Sequence, residues 1–356
     1  MKRLATERNP VLEEGSGGMT WAPGRVLVIG SNSFTGAHLV DYLLRHTSSR
    51  VAGVSRSAEA EALFLPYRHG KAPDPDRFEF HRMDVNRDME RLAQLCEAFR
   101  PEAVVNFAAQ GEVRNSWRWP VQWYETNCLG VVRVSEFLKD QPYLKRYVSI
   151  STPEVYGSQA VEEVREGRTY DPSTPYAVSK LAGDLHLGAL YKRHGFPVVY
   201  TRAANLYGIH QQLYRIIPRT VIRLKLGQTI ELHGRGEARR AFIHARDVAD
   251  GTWRAITAGR SGEVYHLAPR EGPRRIADVV RVICGMMGHD FEASVRRMDE
   301  NFGQDAAYVL NADKARNELG WRPGVTFENG VEEVIRWVED HWDTIRALPL
   351  DYVHQP

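Results

Sequence analysis

Tyr176 and Lys180 stand four residues apart in Tyr176-Ala177-Val178-Ser179-Lys180, which puts a phenol and an ammonium on one face of a helix. Free tyrosine titrates at about 10 and is a poor base at neutral pH, but an adjacent ammonium and a cationic nicotinamide both favour the phenolate. Such a pair takes the proton of an alcohol as the alcohol's hydride leaves for a cofactor. The same spacing also occurs in ordinary exposed helical pairs, so this reading requires a dinucleotide site elsewhere in the chain.

The segment Gly30-Ser31-Asn32-Ser33-Phe34-Thr35-Gly36 is the candidate. Glycine permits a tight turn and close approach of backbone to a pyrophosphate, and the N-terminus of a following helix offers free N–H groups to an anion. The placement fits: the β-branched run Arg25-Val26-Leu27-Val28-Ile29 before it reads as a strand buried on both faces. After it, Ala37, Leu39, Val40, Leu43 and Leu44 recur at helical spacing. The second strand ends at Val54 and is followed by Ser55 and Arg56, where an acidic residue usually holds the ribose of NAD. A hydroxyl and a guanidinium suit a 2′-phosphate, so the cofactor is read as NAD(P), leaning to NADP; Arg56 stacking on adenine from the surface is the other reading. Asp84, after the third strand, either accepts a hydrogen bond from the adenine amino group or caps a helix.

These groups need a scaffold. Further runs, Val51-Ala52-Gly53-Val54, Phe78-Glu79-Phe80, Ala103 to Phe107, Arg146 to Ile150 and Val198-Val199-Tyr200, come at intervals suited to βα units. The expected fold is α/β: a doubly wound parallel sheet, the Rossmann fold, over 25–205. A smaller, mostly C-terminal α/β substrate-binding domain is expected over 206–350, with returning segments near 241–268 completing the sheet. Helices are expected around Asp313 to Leu319 and Glu332 to Ile345, and residues 1–24 read as a flexible tail. The 356 residues carry 47 Lys plus Arg against 45 Asp plus Glu, a formal charge of +2, which argues against a nucleic-acid-coating or polybasic membrane protein. No apolar run approaches the roughly 20 residues of a membrane span. Three scattered cysteines make no disulfide framework, and the cytoplasm is the expected address. Beyond residue 206, Arg215, Arg219, Arg223, Lys225, Arg235, Arg239 and Arg240 make the chain locally basic, either to hold an anion or as a solvated surface. None of the 13 histidines pairs with a carboxylate at metal-ligand spacing, so no metal is expected.

Taken in order, the glycine loop, Asn106-Phe107-Ala108-Ala109, Asn127, Ser151-Thr152-Pro153-Glu154-Val155-Tyr156-Gly157, the Tyr176 and Lys180 pair, Asn205-Leu206-Tyr207-Gly208 and Asn311-Ala312-Asp313 before Leu319-Gly320-Trp321 carry a resemblance. From Arg25 to about Pro323 the chain resembles the extended short-chain dehydrogenase/reductases, specifically the NAD(P)-dependent nucleotide-sugar epimerases and dehydratases. The resemblance implies that Gly30, Ser33, Phe34 and Gly36 hold the cofactor with Ser55, Arg56, Asp84 and Val85, and that Ala108, Ala109, Asn127, Tyr176 and Lys180 complete its site. In 4,6-dehydratases the segment after the fifth strand resembles Ser-Thr-Asp-Glu-Val-Tyr-Gly: the Thr binds the sugar 4-hydroxyl, the Asp protonates the leaving 6-hydroxyl and the Glu removes the C5 proton. Thr152 and Glu154 match that pattern, whereas simple 4-epimerases usually carry small hydroxyl residues where the Glu stands. The chemistry is sound, because oxidation at C4 acidifies the C5 hydrogen and a carboxylate can then abstract it. Pro153 departs from the pattern, having no proton to give; related GDP-mannose dehydratases and UDP-glucuronate decarboxylases also have the Glu without the Asp.

On the substrate side, Arg240 resembles the arginine that binds the nucleotide diphosphate, a task suited to a planar guanidinium fork, with Arg239 as its neighbouring alternative. Asn205 resembles a diphosphate contact, Arg215 the basic residue ahead of Ile216-Ile217-Pro218, and Glu112 and Arg114 stand where the family contacts the sugar. A further family arginine has no counterpart after Gly303-Gln304-Asp305, where Ala306 and Ala307 follow. The resemblance thus implies a nucleotide-sugar 4,6-dehydratase with recycled NAD(P), acting on a nucleotide diphosphate sugar as a homodimer, the helix after Ser116 and the helix of Tyr176 pairing with their mates. The competing readings are a 4-epimerase, a uronate decarboxylase and a catalytically silent dinucleotide sensor.

Overall fold

In the strand Arg25–Ile29 (β1), Val26 and Val28 face one way and Leu27 and Ile29 the other, so it is stable only with apolar helices packed on both sides. The computed structural model, which describes residues 21–70, 73–157, 163–167, 169–299 and 309–355, shows that arrangement. Arg50–Ser55 (β2), Phe78–Arg82 (β3), Ala103–Asn106 (β4), Arg146–Ile150 (β5), Val198–Ala203 (β6) and Val264–Leu267 (β7) join β1 in a seven-stranded sheet. Its order is β3-β2-β1-β4-β5-β6-β7 and every pairing is parallel. The succession reverses between β1 and β4, and in such sheets ligands bind at that switch point, beyond the C-terminal strand ends.

Helix α1 (Phe34–His46) lays Ala37, Leu39, Val40 and Leu43 on the Val26 face. The Leu27 face is covered by Leu92, Cys96 and Phe99 of α2 (Met89–Phe99), Val131, Val134 and Leu138 of α3 (Val131–Leu138), and Leu187 and Leu190 of α4 (Pro175–His194). After β6 the chain builds α5 (Ile216–Lys225) into a separate core, then returns with α6 (Ala245–Ala258), whose Trp253 and Ile256 pack beside α1, and with β7. The second core gathers Ile217, Val221 and Leu224 of α5 with Val280 and Ile283 of α7 (Ile276–Met286) and Val331, Val334 and Val338 of α8 (Phe327–Asp340). The i, i+3, i+4 and i+7 spacings put one apolar stripe of each helix inward.

Helix α8 starts earlier than the periodicity suggests, because Thr326 caps it by accepting the Asn329 N–H, and it breaks at His341 before the short helix Trp342–Ile345. The other C-terminal helix covers Asp313–Glu318. No helix among the described residues is long and apolar enough to cross a membrane. Most of the expected tail, and the segment from Gly303 to Ala307, lie outside the described residues.

Candidate active site

Beyond the ends of β1 to β4 the chain encloses a cavity of about 250 Å3. Gly30 leaves β1 with φ 85°, and a Cβ there would sit 2.7 Å from the Ala108 nitrogen; a Cβ on Gly36 would overlap the Gly30 carbonyl oxygen. Both positions therefore exclude a side chain. Ser33 caps α1, its Oγ accepting from the Gly36 N–H (3.0 Å) and donating to the Gly30 carbonyl (2.7 Å). Gly30, Ser33, Ser55, Arg56, Asp84 and Val85 line the cavity, with Ala108 and Ala109. Phe34 and Gly36 support the loop from behind, the Phe34 ring 4.9 Å from that of His38.

Neighbouring loops are tied together. The Asn32 N–H donates to Ser55 Oγ (2.9 Å), and the Asn32 amide donates to the Ala58 carbonyl (2.6 Å). Asp84 does not cap a helix: α2 begins after Asp88, whose carboxylate takes the Asp84 N–H (2.8 Å), while Asp84 Oδ1 accepts from the Asn86 N–H (2.9 Å). That Asx turn aims the residue at the cavity wall instead. Asn127 lies one layer back, on the π-helical turn Glu125–Gly130. Its amide donates to the Gln110 carbonyl and to Ser179 Oγ (both 3.0 Å), and its oxygen accepts the Gln110 N–H (2.8 Å). Both amide protons are engaged by protein, so Asn127 holds the loop after β4 against α4.

Thr174 caps α4 by accepting the Ala177 N–H (3.1 Å), which fixes the first turn where Tyr176 stands, with Lys180 one turn on. At the end of β5, Thr152 caps the short 3-10 turn Pro153–Tyr156, its Oγ1 accepting from the Glu154 N–H (3.3 Å). Pro153 occupies the first position of that turn, where a missing N–H leaves nothing unsatisfied. Thr152 hydrogen-bonds the Tyr176 phenol and the Glu154 carboxylate acts on the same phenol. Burial, then Glu154, push the Tyr176 pKa above its ordinary value, against the pull of Thr152 and Arg215. This differs from the bias expected of the Tyr–Lys pair alone. The Lys180 ammonium donates to the Ile150 carbonyl (2.7 Å), and its own pKa is lowered by burial, with Asp184 opposing.

A buried polar network lies beneath these groups. Arg202, fully buried in β6, pairs with Asp184 of α4 (2.9 Å) and donates to Ser151 Oγ (3.2 Å) and Tyr156 Oη (2.5 Å). Tyr156 Oη donates in turn to His266 Nε2 (2.8 Å), whose Nδ1–H donates to the Asn311 carbonyl (3.0 Å). That chain of donors assigns His266 the neutral Nδ1–H form, in accord with a pKa lowered to about 3 by burial and then by Arg202.

On the substrate side, Arg215 is exposed at the start of α5 with its guanidinium 5.1 Å from the Tyr214 ring, and it acts on Tyr176. Glu112 and Arg215 both act on Tyr352, so the three converge. Arg114 is exposed on the short helix Val113–Ser116. Asn205 lies in the strand Asn205–Tyr207, paired with Phe242–His244, and Arg240 in Arg239–Arg240, paired with Arg274–Arg275. Sequence reasoning missed Asn32, Gln110, Tyr214 and Gln355. Gln110, directly following Ala108-Ala109, Asn32, inside the glycine loop, and Tyr214, next to Arg215, carried usable signals; Gln355 carried none.

Comparison with known proteins agrees with the class that fold and site define, the extended short-chain dehydrogenase/reductases. The model of the GDP-mannose 4,6 dehydratase family matches residues 27–334, and the chain belongs to that family. It is 31% identical over 330 residues to the dTDP-glucose 4,6-dehydratase of Streptomyces niveus, covering 91% of this chain and 96% of that one. The dTDP-glucose 4,6-dehydratase of Streptomyces venezuelae, solved with NAD bound, matches with a TM-score of 0.81 at 30% identity, covering 90% of this chain and 98% of that one. The UDP-glucuronic acid 4-epimerase from Bacillus cereus shares the fold, with a TM-score of 0.79 at 24% identity over 89% of this chain and 99% of that one.

Proposed function

We propose that the protein is a nucleotide-sugar 4,6-dehydratase that keeps NAD(P) bound and recycles it in each turnover. The observation that carries this reading is Glu154, a carboxylate on the same turn as Thr152 that bears electrostatically on the Tyr176 phenol. A cradle at Gly30 and Gly36 that admits no Cβ, opening on the capped start of α1, fits a pyrophosphate. A dinucleotide held there would supply hydride chemistry, taking up hydride from C4 and giving it back at C6. Tyr176 takes the 4-hydroxyl proton, and Thr152 orients the phenol. Lys180, held by the Ile150 carbonyl, supplies the nearby positive charge. Glu154 removes the C5 proton, made acidic by the neighbouring ketone. With no acid at Pro153, Glu154 passes that proton to the departing 6-hydroxyl, so one water is lost and the carboxylate is restored. As the hydride comes back to C6, C5 takes a proton from solvent by way of Glu154, and Tyr176 releases the 4-hydroxyl proton to solvent, which balances the turnover.

The substrate is a nucleotide diphosphate hexose, its diphosphate facing Arg215, Asn205 and Arg240, and its sugar between Glu112 and Tyr176. For the cofactor we favour NADP. Arg56 and Arg82 line a cavity adjoining the first, with Ser57, and two guanidiniums beside Ser55 suit a 2′-phosphate. We assign 25–205 and the returning segments near 241–268 to cofactor binding and the rest of 206–350 mainly to the nucleotide sugar. Exposed Trp117, Val121, Tyr124 and Leu129, with Leu185 of α4, support a homodimer through these helices. Incubation with a panel of nucleotide hexoses tests the activity: a product lighter by one water is expected. Mass spectrometry of the dinucleotide released on denaturation tests the NADP preference.

A further inference from the structure

The last described residues, Asp351 to Gln355, form no helix or strand, yet they run across both halves of the site. Asp351 pairs with Arg219 of α5 (3.5 Å), and the Tyr352 ring stands edge-on to Tyr214 at 5.2 Å, beside Arg215 and Glu112. The His354 imidazole stacks on Trp119 with centroids 4.5 Å apart and planes within 7°, and lies 5.5 Å from the buried Trp123. Its Nδ1 accepts from Tyr352 Oη (3.3 Å), which leaves the proton on Nε2 to donate to Gln122 Oε1 (2.7 Å). The Gln355 carbonyl then accepts from both Arg56 Nη2 and Gln110 Nε2, each at 3.1 Å.

Arg56 follows β2 and Gln110 follows β4, so one carbonyl links loops on opposite sides of the switch point. The segment bounds the cavity rather than filling it. Gln355 is part of the wall, and about 250 Å3 stays open beneath it against Gly30, Ser33 and Asp84. Stacked rings and side-chain hydrogen bonds, with no backbone ladder, anchor it, which suits a piece that opens and closes while the sheet stays fixed.

We propose that residues 351–355 are a strap that closes over the bound dinucleotide and retains it through turnover, with His354 as its latch on Trp119; this rests on reading the cavity as the NAD(P) site. A cofactor used and restored in each cycle gains from such retention, since its loss at mid-reaction would strand an oxidised sugar.

The test is the rate of release of NAD(H) and NADP(H) from the loaded full-length protein, from a chain ending at Asp351, and from His354→Ala and His354→Phe. Release about tenfold faster in the shortened chain and in His354→Ala is expected, equivalent to about 1.4 kcal/mol. Uptake should be no slower, the melting temperature of the unloaded protein unchanged, and His354→Phe, which keeps a ring on Trp119, close to wild type. Release at the wild-type rate in both weakened variants, or tighter binding by them, overturns the strap. A wild-type protein that binds neither dinucleotide overturns the cavity reading itself, and the strap with it.

Discussion

Burial and the neighbouring Glu154 carboxylate favour the protonated Tyr176 phenol, so the role of base proposed for it depends on positive charge brought close when cofactor binds. Tyr176→Phe preserves the ring and removes only the proton-carrying oxygen. It is expected to lower kcat by about 100- to 10,000-fold while the purified protein retains its dinucleotide, as checked by steady-state assay and mass spectrometry. Glu154→Gln should lower kcat over a similar range and also stop deuterium uptake at C5 from heavy water; unchanged uptake would assign that proton to another group. Both residues were legible in the sequence, because helical spacing and a motif after an apolar strand place them in register. The state of the phenol was not legible, since it depends on which way the Lys180 ammonium turns and on what buries the ring.

Among the elements, the turn Pro153–Tyr156 that bears Glu154 is held to α4 and β6 by the ion pair of Arg202 and Asp184 with Ser151 and Tyr156. Arg202→Met leaves Asp184 buried without its partner and is expected to cost about 3–5 kcal/mol, read as a fall in melting temperature and in urea midpoint. Thr174→Ala removes the α4 cap and should cost about 1 kcal/mol, with a rise in KM or a fall in kcat as the turn bearing Tyr176 frays. The strands were legible because β-branched runs buried on both faces look like little else. The π-helical turn that carries Asn127 has no periodicity of its own, and Arg202 inside an apolar strand reads as a surface residue until Asp184 is brought to it through space.

For the whole molecule, burial leads in lowering the pKa of His38 to about 3, of His210 to about 4 and of His266 to about 3. Unfolded, each titrates at about 6.5, so below that pH the unfolded chain binds protons that the folded chain refuses. Stability is therefore whole above about pH 6.5 and declines as the pH falls from there towards 4. Melting temperature at about pH 5 is expected to lie below that at about pH 7.5, and a flat profile would contradict the neutral assignment of these three. The α/β fold and the glycine cradle could be read from sequence, whereas the strap could not: His354 and Gln355 acquire meaning only from Trp119, Arg56 and Gln110, all more than 200 positions away, and Tyr352 from Tyr214. The central step proposed for the enzyme is removal of the C5 proton followed by loss of water. The direct measurement is the mass of the sugar nucleotide formed in heavy water: loss of one water with deuterium gained at C5 is predicted, and an unchanged hexose mass with inversion at C4 would contradict it.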